Sequence, residues 1–296
     1  MSGVILVGVD GSKGSDDALR WALREARLRE CAVTALLAWG GDGLQREVYR
    51  RALQTDPADH TDLETAASNA LDRAIGRAGL SGAEMTRLVV DASPVAALEN
   101  SSAGAEMVVV GSHGHGPIHR AVAGSVAQGV VNHARIPVVV VRGTTEEHPT
   151  PRPVVVGVDG SGNSVGALRW AAEAATLRRA PLRVVHALGH TEVLYPELLL
   201  AGQSSLLRRA QEAMEEIVAK GLAGAGGIVV DTVVTPEAPS PVLLREAENA
   251  QLLVVGHRGR GGFAELLLGS VSHQSILHAR CPVTVVPSEG RVVAAT

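Results

Sequence analysis

Two glycine–serine patterns of identical spacing carry the chemistry of this sequence. Gly111-Ser112-His113-Gly114 is followed after nine residues by Gly124-Ser125, and Gly256-His257-Arg258-Gly259 after nine residues by Gly269-Ser270. Each follows a short apolar run, Met107 to Val110 and Leu252 to Val255. A glycine-rich loop that leaves a buried strand and leads into a helix start suits an anion. Without Cβ atoms the backbone amides approach closely, and the first helical N–H groups and the positive end of the dipole complete a phosphate cradle. Charge-assisted hydrogen bonds of this kind contribute about 1.5–3 kcal/mol each.

The candidate set in the first copy is Gly111, Ser112, His113, Gly114, His115, Gly116 and Pro117, with Gly124 and Ser125 at the helix start. In the second it is Gly256, His257, Arg258, Gly259, Arg260, Gly261 and Gly262, with Gly269 and Ser270. Tight turns alone would explain one such loop; a matched pair favours anion binding. The pattern is neither GxxxxGK[ST] nor a GxGxxG after the first strand. The copies also differ. Arg258 and Arg260 stand where the first copy has His113 and His115, and Gly262 stands where it has Pro117. Arginine keeps its charge and forks onto phosphate, histidine is mostly neutral near pH 7, and proline removes an amide donor. The second site is therefore expected to bind a triphosphate more tightly. His113, His115 and His119 lack Cys or carboxylate partners at metal spacing and read as a solvated loop.

The loops must be positioned by alternating elements. Val4–Val9 reads as a strand buried on both faces, followed by a helix capped by Ser12 or Ser15 and running to about Arg29. Strands are expected at Val33–Trp39, about Met85–Asp91, Met107–Val110 and Val138–Val141. Further helices are expected over about Thr61–Ala78, about Val95–Ala103 and from Ser125. Val154 to Val286 repeats the series. Alternation with short connections predicts a doubly wound α/β fold: two tandem Rossmann-like domains, each a five-stranded parallel sheet of order 3-2-1-4-5 with helices on both faces. A ligand belongs beyond the carboxyl ends of the strands, at the switch between strands one and four. Asp10 and Asp159 end strand one there, facing the glycine loops; an Asx turn is their alternative role.

The repeat is extensive. Val7-Gly-Val-Asp-Gly-Ser12 recurs as Val156-Gly-Val-Asp-Gly-Ser161, Ala18-Leu-Arg-Trp-Ala22 as Ala167-Leu-Arg-Trp-Ala171, and His133-Ala-Arg-Ile-Pro-Val138 as His278-Ala-Arg-Cys-Pro-Val283. The copies lie 149 residues apart at Val7 and Val156 and 145 apart at His133 and His278. This is a domain duplication, with domains expected at 1–142 and 154–288, a Pro-rich linker at 143–153 and a tail at 289–296.

Composition fits. The 296 residues are 46% hydrophobic and 20% charged, as expected of a folded soluble chain. Aromatics are 2% and the net charge is −4, which argues against a nucleic-acid partner that needs stacking platforms or a basic face. Two cysteines in no metal spacing, no signal segment and no apolar run of spanning length point to the cytoplasm and away from a membrane. Trp21, Trp170 and Cys281 read as core, and His133 and His278 as helix-end caps.

The Val-Gly-Val-Asp-Gly-Ser runs, both G-x2-G-x9-G-S patterns, Gly259-Arg-Gly-Gly-Phe263, Leu268-Gly-Ser-Val-Ser272 and Cys281-Pro-Val283 together resemble tandem universal stress proteins of the kind found in actinobacteria. The resemblance covers nearly the whole chain. It implies an ATP-binding type with one nucleotide per domain, with or without Mg²⁺, and a regulatory or sensing role in stress. By position, Gly8 and Asp10, and Gly157 and Asp159, would face the nucleotide. Ala38 and Ala187 would border adenine. The loops and helix starts, including Val126 and Val271, would hold ribose and phosphates. In the family the strand-five edge pairs with its counterpart; here the two copies could pair within one chain, with a homodimer through another surface and a protein partner of unknown kind. A slow ATPase or phosphotransferase is one alternative. The other is an interaction protein binding cAMP, another adenine nucleotide or none.

Overall fold

The computed structural model describes residues 3–40, 60–79, 85–114, 124–143, 151–189, 199–223, 227–259 and 267–288. The chain forms two compact units, Met1–Thr145 and Glu146–Thr296.

In the first unit the order is β1 (Val4–Gly8), α1 (Lys13–Arg29), β2 (Ala32–Ala38), α2 (His60–Ala78), β3 (Met85–Val90), α3 (Pro94–Ser101), β4 (Met107–Gly111), α4 (Ser125–His133) and β5 (Val138–Val141). Its strands lie in the order β3-β2-β1-β4-β5, and every pair among them is parallel. Parallel pairing demands crossovers, which the helices supply on both faces. α1 packs on β1, β4 and α2, while α3 packs on β1, β2 and α4. The chain reverses direction of travel between β1 and β4, which opens a crevice at their carboxyl ends.

The second unit repeats this with β6 (Val154–Gly157), α5 (Gly162–Leu177), β7 (Leu182–Ala187), α6 (Leu199–Gly221), β8 (Val230–Thr235), α7 (Pro239–Glu246), β9 (Leu252–Gly256), α8 (Ser270–His278) and β10 (Val283–Val286). Its order is β10-β9-β6-β7-β8, again parallel throughout. In the first unit the strand boundaries differ from the sequence expectation by at most one residue. β1 stops at Gly8, although Val9 N–H still donates to Leu36 O at 2.8 Å.

The cores are aliphatic. Ile5, Leu6, Leu19, Leu23, Leu36 and Met107 in the first unit, and Leu168, Leu182 and Met214 in the second, are fully buried, each such side chain contributing about 1.5–3 kcal/mol. Trp21 is buried as expected. Trp170, its counterpart, expected in the core, is only half-buried. Cys281 is buried, and burial pushes its thiol up to about 12, which makes it an inert core residue.

Local signals set the helix limits. Ser12 caps α1 and Ser161 caps α5, each hydroxyl accepting from the backbone N–H three residues on at 3.2 Å. Both helices are followed by a non-glycine residue in the left-handed region, Glu30 at φ 54° and Arg179 at φ 50°. Among the described residues no helix is long and apolar enough to cross a membrane.

Candidate functional site

Both crevices are built the same way. Asp10 follows β1 and turns the chain into α1: its Oδ1 accepts from Ser12 N–H at 2.9 Å. Asp159 does likewise with Ser161 N–H at 2.9 Å and adds the Ser161 hydroxyl at 2.6 Å. One oxygen of each aspartate thus serves an Asx turn. The other lies against the glycine loop. A Cβ at Gly114 would come within 2.5 Å of Asp10 Oδ2, and a Cβ at Gly259 within 2.5 Å of Asp159 Oδ2. Any side chain at either glycine would push the carboxylate aside.

The loop is clipped to the next helix. Gly124 N–H donates to Ser112 O at 2.8 Å, and Gly269 N–H to His257 O at 3.0 Å. Gly124 and Gly269 are the N-caps of α4 and α8, and neither helix has a side-chain cap. The first carbonyls used are those of the glycines themselves, by Gln128 at 3.1 Å and His273 at 2.9 Å. The amides of residues 125–127 and 270–272 therefore have no helical acceptor. Ser125 and Ser270 are exposed, and Val126 and Val271 half-buried.

Gly111 stands where β4 passes α1 closely: a Cβ there would lie 2.6 Å from Gly14 backbone atoms. Gly8 and Gly157 have another reason to be small. A Cβ would meet Leu98 of α3 at 3.1 Å in the first case and Leu243 of α7 at 2.9 Å in the second, so their missing side chains make room for helices. Ala38 and Ala187 end β2 and β7, the first buried and the second half-buried. His115, Gly116, Pro117, Arg260, Gly261 and Gly262, with His119, lie outside the described residues.

The two cradles are braced differently. In the second, Asn163 Nδ2 donates to Arg258 O at 3.2 Å. The equivalent of Asn163 is Gly14, whose missing Cβ allows the His113 carbonyl to press against the start of α1; Ser12 Oγ then reaches His113 O at 3.4 Å. Ser112 and His257 are buried, His113 and Arg258 half-buried. Ser112 Oγ lies 2.9 Å from His113 Nδ1.

Sequence reasoning missed a charge. The β4–β5 register pairs Gly111 with Val141, and Ser112 N–H donates to Val141 O at 2.8 Å. The residues after both strands are therefore neighbours, and Arg142 sits beside His113. Burial, then the Arg142 guanidinium, lowers the His113 pKa below its ordinary 6.5; burial alone lowers that of Arg142. The signal was present in the repeat, since Pro287 stands in the position equivalent to Arg142. In the second unit, His186 Nδ1 donates to Val158 O at 2.8 Å, steadying the residue before Asp159.

The universal stress protein family matches residues 1–142 and again residues 151–287. The chain belongs to that family. A universal stress protein of Mycobacterium tuberculosis is 34% identical over 314 residues, covering 98% of this chain and 97% of the relative. A universal stress protein from Archaeoglobus fulgidus superposes with a TM-score of 0.67 at 21% identity, covering 97% of each chain, which establishes the tandem α/β fold. A universal stress protein solved in complex with cAMP is 30% identical, covering 46% of this chain and 95% of that one at a TM-score of 0.30.

Proposed function

We propose that this universal stress protein is a cytoplasmic regulator that binds ATP, one molecule in each of two domains spanning about residues 1–142 and 154–288. The observation that carries the reading is the meeting, in both units, of an aspartate just after the first strand with a glycine of the loop after the fourth, beside a Gly-Ser helix start without a side-chain cap. Amides without helical acceptors, a dipole end and close backbone approach suit phosphate. The second oxygen of Asp10 or Asp159, beside Gly114 or Gly259, would take ribose hydroxyls or a Mg²⁺ held by the phosphates. Asp10, Gly111 to Pro117 and Gly124 to Val126 form the first site, and Asp159, Gly256 to Gly262 and Gly269 to Val271 the second. Ala38 and Ala187 border the base. Gly8 and Gly157 shape the crevices from behind.

Denaturing freshly purified protein and chromatographing what is released tests this directly. ATP recovered in proportion to protein supports the reading. Empty protein that gives no heat on titration with ATP defeats it, and steady ADP production with Mg²⁺ would make the chain an ATPase. As a site test, Gly269→Val places methyl groups where the Cβ already lies 3.3 Å from His257 O and 3.4 Å from Arg258 Cα. Binding at the second site should be lost while the first site still titrates; unchanged stoichiometry would remove the cradle from the second unit.

A further inference from the structure

The two cradles obtain positive charge in different ways. In the second unit it comes from the planar, forked guanidinium of Arg258, whose Nε is buried with no hydrogen-bond partner among the described residues. In the first unit the same loop position is His113, and the fixed charge, Arg142, comes from the end of β5.

His113 is held in a neutral state that an anion would reverse. Its Nδ1 is engaged by the Ser112 hydroxyl at 2.9 Å, and its Nε2 is buried with no partner among the described residues. Burial and the Arg142 charge both oppose a proton on the ring. Among the described residues, Asp10, which follows β1, approaches the adjacent Gly114. The acids in the first turn of α1 are already engaged, Asp16 by Arg77 at 2.7 Å and Asp17 by Lys13 at 3.1 Å and Arg20 at 2.8 Å. A polyphosphate in the cradle would bring several negative charges beside this ring. It would screen Arg142, attract a proton to the imidazole and raise its pKa.

We infer that the first site is proton-linked through His113: this ring takes up a proton as the nucleotide polyphosphate binds, so that first-site affinity rises as the pH falls. The inference rests on the nucleotide reading above. The sign follows from linkage. If binding raises the pKa of His113, the complex holds more protons than the free protein between the two pKa values. Affinity then increases as pH falls through that window. A rise of one unit corresponds to about a tenfold gain in affinity. The first domain would thereby carry an acid-enhanced nucleotide site whose occupancy reports on pH.

The test is calorimetric titration of the whole protein with ATP at pH 6–6.5 in two buffers of unlike ionisation enthalpy, which counts protons exchanged on binding. His113→Asn removes the titration, and His113→Arg installs the second unit's residue; ATP's own titration cancels between native protein and variants. The expected result is that native protein takes up more protons per chain than either variant. First-site affinity of native protein, as a ratio to that of His113→Arg, should rise by about tenfold from pH 8 to pH 5.5. Equal proton counts in native and variant proteins, or a ratio flat over this range, overturn the inference while nucleotide binding stands. No binding at either site at any pH overturns both.

Discussion

Thr284 is fully buried in β10, and its hydroxyl has no hydrogen-bond partner among the described residues. Its equivalent in the first unit is Val139, also fully buried. An unpaired buried hydroxyl costs about 1–3 kcal/mol of desolvation, and valine has nearly the same shape. Thr284→Val should therefore raise stability by about 1 kcal/mol, read as a higher denaturant midpoint with an unchanged slope. A drop in midpoint would mean that the hydroxyl has a role the present contacts do not include. At the same scale, His113 shows what a residue's type alone conceals. The sequence made it a weak substitute for arginine. Burial, and then the charge of Arg142 brought in by strand register, oppose a proton on the ring, which is what would let a polyphosphate in the loop decide its charge.

At the scale of elements, much was legible because the signals are local. Ser12 and Ser161 cap their helices as serines before a helical apolar pattern should, and α4 and α8 begin at the Gly-Ser pairs. The strands appeared as short runs of Val, Leu and Ile because both faces of a parallel sheet are covered. Contacts made by elements distant in sequence could not be read. Gly8 and Gly157 looked like ligand glycines by motif, yet the space that they leave is taken by Leu98 and Leu243. This separates two roles that sequence merges. Gly157→Ala should overpack α7 against β6 and cost about 1–3 kcal/mol, with nucleotide affinity at the second site nearly unchanged in protein that remains folded. A large loss of affinity at unchanged stability would return Gly157 to the ligand. The brace on each loop was equally hidden, because Asn163 and Gly14 acquire meaning only against a carbonyl about a hundred residues away.

On the scale of the whole molecule, duplication produced two units with one topology and different detail. The strand order is the same in each, so the crevice at the β1–β4 and β6–β9 switch is a property of the fold. What occupies that crevice, and how strongly, depends on a few positions that diverged after copying: Gly14 and Asn163, His113 and Arg258, Arg142 and Pro287. A protein of this design keeps its scaffold in duplicate and varies its chemistry in one copy at a time.

Divergence did not reach everything. Glu30 and Arg179 are equivalent residues just beyond α1 and α5, and both hold the left-handed backbone that glycine adopts most easily. Neither their charge sign nor their chemistry is shared; only the conformational burden is. It is a debt inherited twice, and it leaves a simple route to a hardier protein. Replacing each by glycine should relieve about 1 kcal/mol of strain, partly offset by the greater freedom of the unfolded chain. The two gains should add, since the sites belong to separate units. A double Glu30→Gly, Arg179→Gly variant that melts no higher than its parent would show that the left-handed turns are already comfortable. One that melts several degrees higher would offer a sturdier background for every site variant described above.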